Sequence, residues 1–134
     1  MKKITRFLFL FGIIGIFSFS CEKEKIETDP TKAILGKWEP IEMGNWPNME
    51  PVTNPGGYKE FLPDSILREY DYETGEYFYK KYKIDTLLYE YITREDGFQL
   101  TITYKYQFFD NNKLRLDHKD IAAIFNTFIF KRIN

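Results

Sequence analysis

From Phe98 to Phe108 the even positions read Phe98, Leu100, Ile102, Tyr104, Tyr106 and Phe108, and the odd ones Gln99, Thr101, Thr103, Lys105 and Gln107. Alternation this strict predicts a strand with one buried and one wet face. Two other stretches carry a noisier version. Ile66, Arg68, Tyr70 and Tyr72 oppose Leu67, Glu69 and Asp71, while Leu87, Tyr89 and Tyr91 oppose Leu88, Glu90 and Ile92. Further strands are expected near 34–43, 57–62, 77–84, 113–118 and 124–132. In the fourth of these eight, Phe78, Lys80, Tyr82 and Ile84 share one face, and Tyr77, Tyr79, Lys81 and Lys83 the other.

The punctuation between the strands is that of tight reversals. PDS at 63–65, ETGE at 73–76, REDG at 94–97 and DNN at 110–112 place Pro, Gly, Asp and Asn where turns want them. Asp96-Gly97 suits a hairpin, because glycine accepts positive φ at no steric cost. Connections this short imply antiparallel neighbours, since a parallel crossover needs about a dozen residues or more. An open edge invites aggregation and closure removes it. The expected fold is all-β, a small antiparallel up-and-down β-barrel of about eight strands. One segment breaks the rhythm: Met43 to Gly57 carries three of the six prolines and three of the eight glycines. Too long for a hairpin, it is expected across one end of the barrel, either as a lid or as a surface excursion.

The N-terminus belongs to a different class. Lys2, Lys3 and Arg6 precede an apolar run from Phe7 to Phe17, and Ser18, Phe19, Ser20 and Cys21 follow. A positive cap, a short apolar core and small residues make a secretory signal. The run is shorter than the roughly 20 apolar residues a membrane-spanning helix needs. The expected division is therefore a signal at 1–20, a polar tether at 21–32 and one domain at 33–134. Beyond residue 20 there are 16 Lys and Arg against 20 Asp and Glu, a charge of −4. That balance speaks against nucleic acid as a partner.

Cys21 stands where the lipidated cysteine of bacterial lipoproteins stands, and the segment resembles their signals. The resemblance implies acylation of Cys21 and a lipid anchor, against the alternative of ordinary signal cleavage near Ser20. The domain resembles the short lipocalin-like lipoproteins of Bacteroidota. The likeness rests on Gly36-Lys37-Trp38, Tyr58-Lys59-Glu60-Phe61, Pro63-Asp64 and the terminal Phe128-Ile129-Phe130-Lys131-Arg132. It implies an outer-membrane location, at the periplasmic face or the cell surface. It also implies that Trp38 closes one end of the barrel beneath a cation from Lys131 or Arg132.

An eight-stranded barrel is wide enough for packed side chains or for one small ligand. The candidate ligand-binding residues are Trp38, Arg68, Tyr70, Tyr72, Tyr89, Tyr91, Tyr104 and Tyr106. They are aromatic rings carrying polar tips, plus an arginine able to clamp a carboxylate if its face points inward. His118, the only histidine, is expected in a loop, and Ser65 is the only serine after Cys21. One histidine and no free cysteine cannot build the usual zinc shell, and a hydrolytic triad would have to use this single base with a serine that lacks a Gly-x-Ser-x-Gly frame. The sequence thus predicts no enzyme, no cofactor and no metal. It predicts a membrane-anchored module for a small hydrophobic or amphiphilic ligand. The alternative is an accessory subunit of a cell-envelope complex that meets a protein partner through its outer wall or the 43–57 loop.

Overall fold

The computed structural model describes residues 24–120 and 124–134. The expected signal and Cys21 lie outside the described residues. A single helical turn, α1 (Pro30–Ala33), opens the described chain, with Asp29 as its cap: the Asp29 carboxylate accepts from the Thr31 amide at 3.0 Å. The rest is antiparallel sheet: β1 (Gly36–Asn45), β2 (Asn48–Pro51), β3 (Gly57–Leu62), β4 (Ile66–Asp71), β5 (Tyr77–Ile84), β6 (Leu88–Thr93), β7 (Gln99–Asp110), β8 (Lys113–His118) and β9 (Thr127–Ile133). Neighbours in the sheet follow chain order from β3 to β9, and β1 pairs with both β3 and β9. The sheet therefore closes on itself as an up-and-down barrel of eight strands, and β2 is the one strand outside the ring.

The 43–57 segment differs from the expected long loop. β1 continues to Asn45, and β2 folds back along it from Asn48 to Pro51. Pairing of β1 with β3 covers only Gly36–Trp38, so beyond Pro40 that edge is free to take β2. A bulge between Pro40 and Glu42 marks the change of partner, and proline belongs at a bulge because it has no N–H to give the ladder. Trp46, at the hairpin's tip, lies on the outer wall with the Arg115 guanidinium 4.1 Å from its ring centre. The hairpin extends one wall. Only its roots, Met43, Gly56 and Gly57, reach the barrel mouth.

One end of the barrel is closed from the residues that open β1. Trp38 is fully buried and donates its indole N–H to the Ile34 carbonyl at 2.7 Å. Arg132 faces Trp38 across the β1–β9 pair and stacks its guanidinium 4.3 Å from the ring centre. That guanidinium donates to the carbonyls of Leu35, Ala33 (2.8 Å) and Asn111 (2.6 Å). Gly36 makes the arrangement possible in two ways. Its φ of +113° is one that side chains rarely adopt, and an added Cβ would sit 2.6 Å from the Arg132 guanidinium. The cation over Trp38 is thus Arg132; Lys131 points outward to Glu39 at 3.3 Å. Above this cap, Phe61, Leu67, Tyr82, Leu88, Leu114, Leu116 and Phe130 fill the interior.

Candidate functional site

Residues opposed in register share a face of the sheet, so the ladder states which side chains point inward. Trp38 opposes Lys59, Lys59 opposes Glu69, Leu67 opposes Lys80, and Tyr82 opposes Glu90. Four charges therefore enter the barrel on four successive strands, β3 to β6, alternating in sign. They close into a ring. Lys59 Nζ lies 2.6 Å from Glu69 and 2.7 Å from Glu90; Lys80 Nζ lies 2.7 Å from Glu69 and 3.8 Å from Glu90. Glu90 is fully buried. Burial alone would raise the Glu69 carboxyl, but the Lys59 and Lys80 ammonium groups outweigh it and hold it at about 2. Burial likewise opposes the charge on Lys59, and its two glutamate partners reverse the sign, leaving it firmly protonated.

Above the ring the barrel is hollow. A cavity of about 520 Å³ opens at the end opposite Trp38, walled by Pro40, Met43, Phe78, Leu116, Phe128 and Phe130. Lys59, Glu69, Tyr104 and His118 supply its polar groups, and Gly57, Tyr70 and Asp71 stand at its rim. Gly57 is required there by close approach, since a Cβ would lie 1.9 Å from the Tyr70 carbonyl oxygen. His118, the last residue of β8, stacks on Tyr104 at 4.6 Å between ring centres and meets Phe128 at 5.7 Å. It belongs to the barrel wall, not to a loop, because Tyr104 opposes it in the ladder. Burial, its largest influence, lowers its pKa from the usual 6.5; Glu90 raises it and Lys59 lowers it. Among the described residues, two buried side-chain polar atoms have no hydrogen-bond partner, His118 Nδ1 and Glu90 Oε2.

The residues expected from sequence to line a ligand site divide into three groups. Tyr104 lines the cavity, and Tyr70 touches its rim. Trp38 and Tyr106 point inward but belong to the closed half, where the Tyr106 hydroxyl is spent on the Asp85 carbonyl. Arg68, Tyr70, Tyr72, Tyr89 and Tyr91 stand on the outer face, which corrects the expected inward orientation of that set. Arg68 opposes Glu60 and Tyr79, and it donates to Glu60 at 2.6 Å. Tyr89 and Tyr91 oppose Lys83 and Lys81. The physical reason is the same in β4 and β6. The inward faces, Leu67 with Glu69 and Leu88 with Glu90, look half polar in isolation, and each glutamate finds its lysine on a neighbouring strand. The tyrosines outside stack on one another: Tyr58, Tyr70, Tyr72, Tyr77 and Tyr79 form a chain of ring contacts 4.8–6.5 Å between centres, with the Tyr58 and Tyr77 hydroxyls hydrogen-bonded to each other at 3.0 Å and the Tyr72 hydroxyl donating to Glu39 at 2.6 Å.

Lys59, Glu69, Lys80, Glu90 and His118 were not expected in the site. The signal available was the order lysine, glutamate, lysine, glutamate at matching places in β3, β4, β5 and β6, each two residues from a buried Phe, Leu or Tyr. Among the described residues, no three His, Cys, Asp or Glu side chains come together in a way that could hold a metal ion. No protein-family model matches the chain, and no curated protein matches it in sequence.

Proposed function

We propose that this barrel takes up one small amphiphilic molecule through its open end. The observation that carries the reading is the cavity of about 520 Å³, apolar on its walls and polar on its floor, in a barrel sealed at the other end. That volume lies within the 300–1,000 Å³ typical of small-molecule sites, as does the pairing of apolar walls with a few polar groups. Nile red, a neutral dye that brightens in apolar surroundings, tests it. Saturable one-to-one uptake is expected, weakened at least about tenfold by Phe78→Lys, which puts a charge in the apolar wall. Phe78 is 51% exposed, so that variant is expected to fold. No saturable uptake by the unaltered protein would overturn the reading.

The N-terminal signal and the single cysteine further support a protein held on the cell envelope by lipid at Cys21. The described chain approaches the barrel at its closed end. The Glu27 amide donates to Asn111 at 2.8 Å, and the Asn111 amide donates to the Lys25 carbonyl at 3.1 Å. The first described residues thus lie beside the sealed end, with the mouth on the far side. Release of the protein from membranes by Cys21→Ala, with loss of the acyl mass, tests the anchor; an unmodified thiol on native material refutes it.

A second reading, docking of an envelope protein, is favoured by the outer tyrosine wall, where Tyr72, Tyr77 and Tyr79 are 45%, 39% and 66% exposed. Tyrosines of this kind are enriched at protein interfaces. Cross-linking in cells that is unchanged by Tyr77→Ser with Tyr79→Ser would count against it.

A further inference from the structure

The charges beneath the cavity sum to zero and are already spent on one another. Lys59 shares its ammonium between two carboxylates at 2.6 and 2.7 Å. Glu69 has one lysine on each oxygen, at 2.6 and 2.7 Å. Tyr104 and His118, the remaining polar groups of the floor, add no charge: burial holds the phenol above its usual range and the imidazole below its own. Asp71, at the rim, is occupied by its own turn, accepting from the amides of Glu73 at 2.8 Å and Thr74 at 2.9 Å.

A ligand bringing a net charge into this interior meets no free counter-charge: the unbonded carboxylate oxygen, Glu90 Oε2, is fully buried behind the cavity lining, 3.8 Å from Lys80 Nζ. A carboxylate must displace Glu69 or Glu90 from a lysine, and an ammonium must displace Lys59 or Lys80 from a glutamate. Either exchange leaves one buried ion without its partner, the costly outcome for ions out of water. A neutral polar group faces no such penalty. It can exchange hydrogen bonds with Tyr104 and His118, the polar side chains of the cavity wall that carry no charge. A hydroxyl or an amide can do so while its apolar body lies along Phe78, Phe128 and Phe130.

Resting on the proposal that the barrel binds a small amphiphile, we infer that the head group it accepts is uncharged and hydrogen-bonding, a hydroxyl or an amide, and that carboxylates and ammonium groups are excluded. The ring selects by neutrality. It is a polar floor that offers contacts without offering a counter-ion.

Displacement of bound Nile red by 1-decanol, decanoate and decylammonium at pH 8 tests the inference on the full mature protein. The three competitors share a chain and differ in head-group charge. The alcohol is expected to displace the dye at least about tenfold more effectively than either ion. Glu69→Gln leaves the interior with one surplus positive charge, and decanoate should then gain at least about tenfold relative to decanol. Lys80→Gln leaves a surplus negative charge and should favour decylammonium instead, so either variant suffices should the other fail to fold. Decanoate or decylammonium competing as well as decanol in the unaltered protein overturns the inference, and so does dye uptake that none of the three reverses. Absence of dye uptake, by contrast, overturns the underlying reading of the barrel as a ligand carrier.

Discussion

Removing Glu90 is the sharpest test of the ring. Its carboxylate is 1% exposed and lies 2.7 Å from Lys59 Nζ and 3.8 Å from Lys80 Nζ. At an effective dielectric of about 20, each such contact contributes about 4–6 kcal/mol of Coulomb attraction, most of it offset by taking the ions out of water. The offset applies only to an intact ring. Glu90→Leu leaves two lysines sharing Glu69, and breaking a buried pair in this way costs about 3–5 kcal/mol. For a domain of about 100 residues, each kcal/mol lowers Tm by about 4–8 °C, so the variant should melt more than about 10 °C below its parent.

The companion variant separates charge from packing. Glu90→Leu combined with Lys80→Met removes one charge of each sign and restores neutrality around the surviving Lys59–Glu69 pair. Urea denaturation of the parent, both single variants and the double closes a cycle, and the double should recover at least about 2 kcal/mol of the summed single losses. Because the ring is largely out of water, 0.5 M salt should leave that coupling intact. An outer pair supplies the contrast: Lys131, 52% exposed against Glu39, should cost under about 1 kcal/mol as Lys131→Ala. Glu90→Leu losing less than about 1 kcal/mol, or a double variant losing the full sum, would refute the reasoning.

Three further outcomes are expected. Gly36→Ala should cost about 1–3 kcal/mol and red-shift Trp38 emission, since it strains a φ of +113° and pushes Arg132 off the indole; a Tm and spectrum unchanged from the parent would contradict this account of the cap. Glu69 titrates at about 2 in the fold against its usual 4.5. With the folded value depressed, its stabilisation is complete above pH 4.5 and disappears as pH falls toward 2. Tm should therefore drop across that window, and less steeply in Glu69→Gln; parallel curves would exclude the assignment. His118, the single histidine, should show an NMR titration midpoint below 6.5, because burial disfavours its charged form. A midpoint at or above 6.5 would mean that the ring sees Glu90 more strongly than the apolar wall.

Strand positions were legible because period two survives noise and turns carry their own residues. The alternation of Phe98 to Phe108 became β7, Gln99–Asp110, and 57–62, 77–84 and 113–118 match β3, β5 and β8. β2 was hidden by the prolines around it. Pro47 and Pro51 argue against a central strand, but β2 lies at an edge, and Pro51 ends it. Which face of β4 and β6 turned inward was misread for a different reason. A single strand is judged by its own hydropathy, and Tyr70 with Tyr72 looks more apolar than Leu67 with Glu69. Burial is decided by the neighbours: Glu69 is acceptable inside only because Lys59 stands opposite it and Lys80 reaches its other oxygen. That information lies across three strands and becomes visible once their register is known.

The ring also poses a question that stability alone does not answer. Replacing a buried ion network with well-packed apolar residues is often neutral or stabilising by about 1–4 kcal/mol. Methionine at 59 and 80 with leucine at 69 and 90 would leave a barrel at least as stable as this one. Two things would be lost. One is register: a slip of one residue between β3 and β4 would turn Lys59 or Glu69 outward and strand the other inside, a penalty no leucine imposes. The other is the floor of the cavity, which would become a greasy socket indifferent to the head group it meets. Register is needed along the whole barrel, yet β7, β8 and β9 keep theirs with no buried ion pair between them, their inward faces apolar apart from tyrosines, His118 and the Arg132 that caps Trp38. Lys59 and Glu69 line the cavity itself, with Lys80 and Glu90 paired behind them, and that placement ties the ring to the cavity floor as well as to the fold.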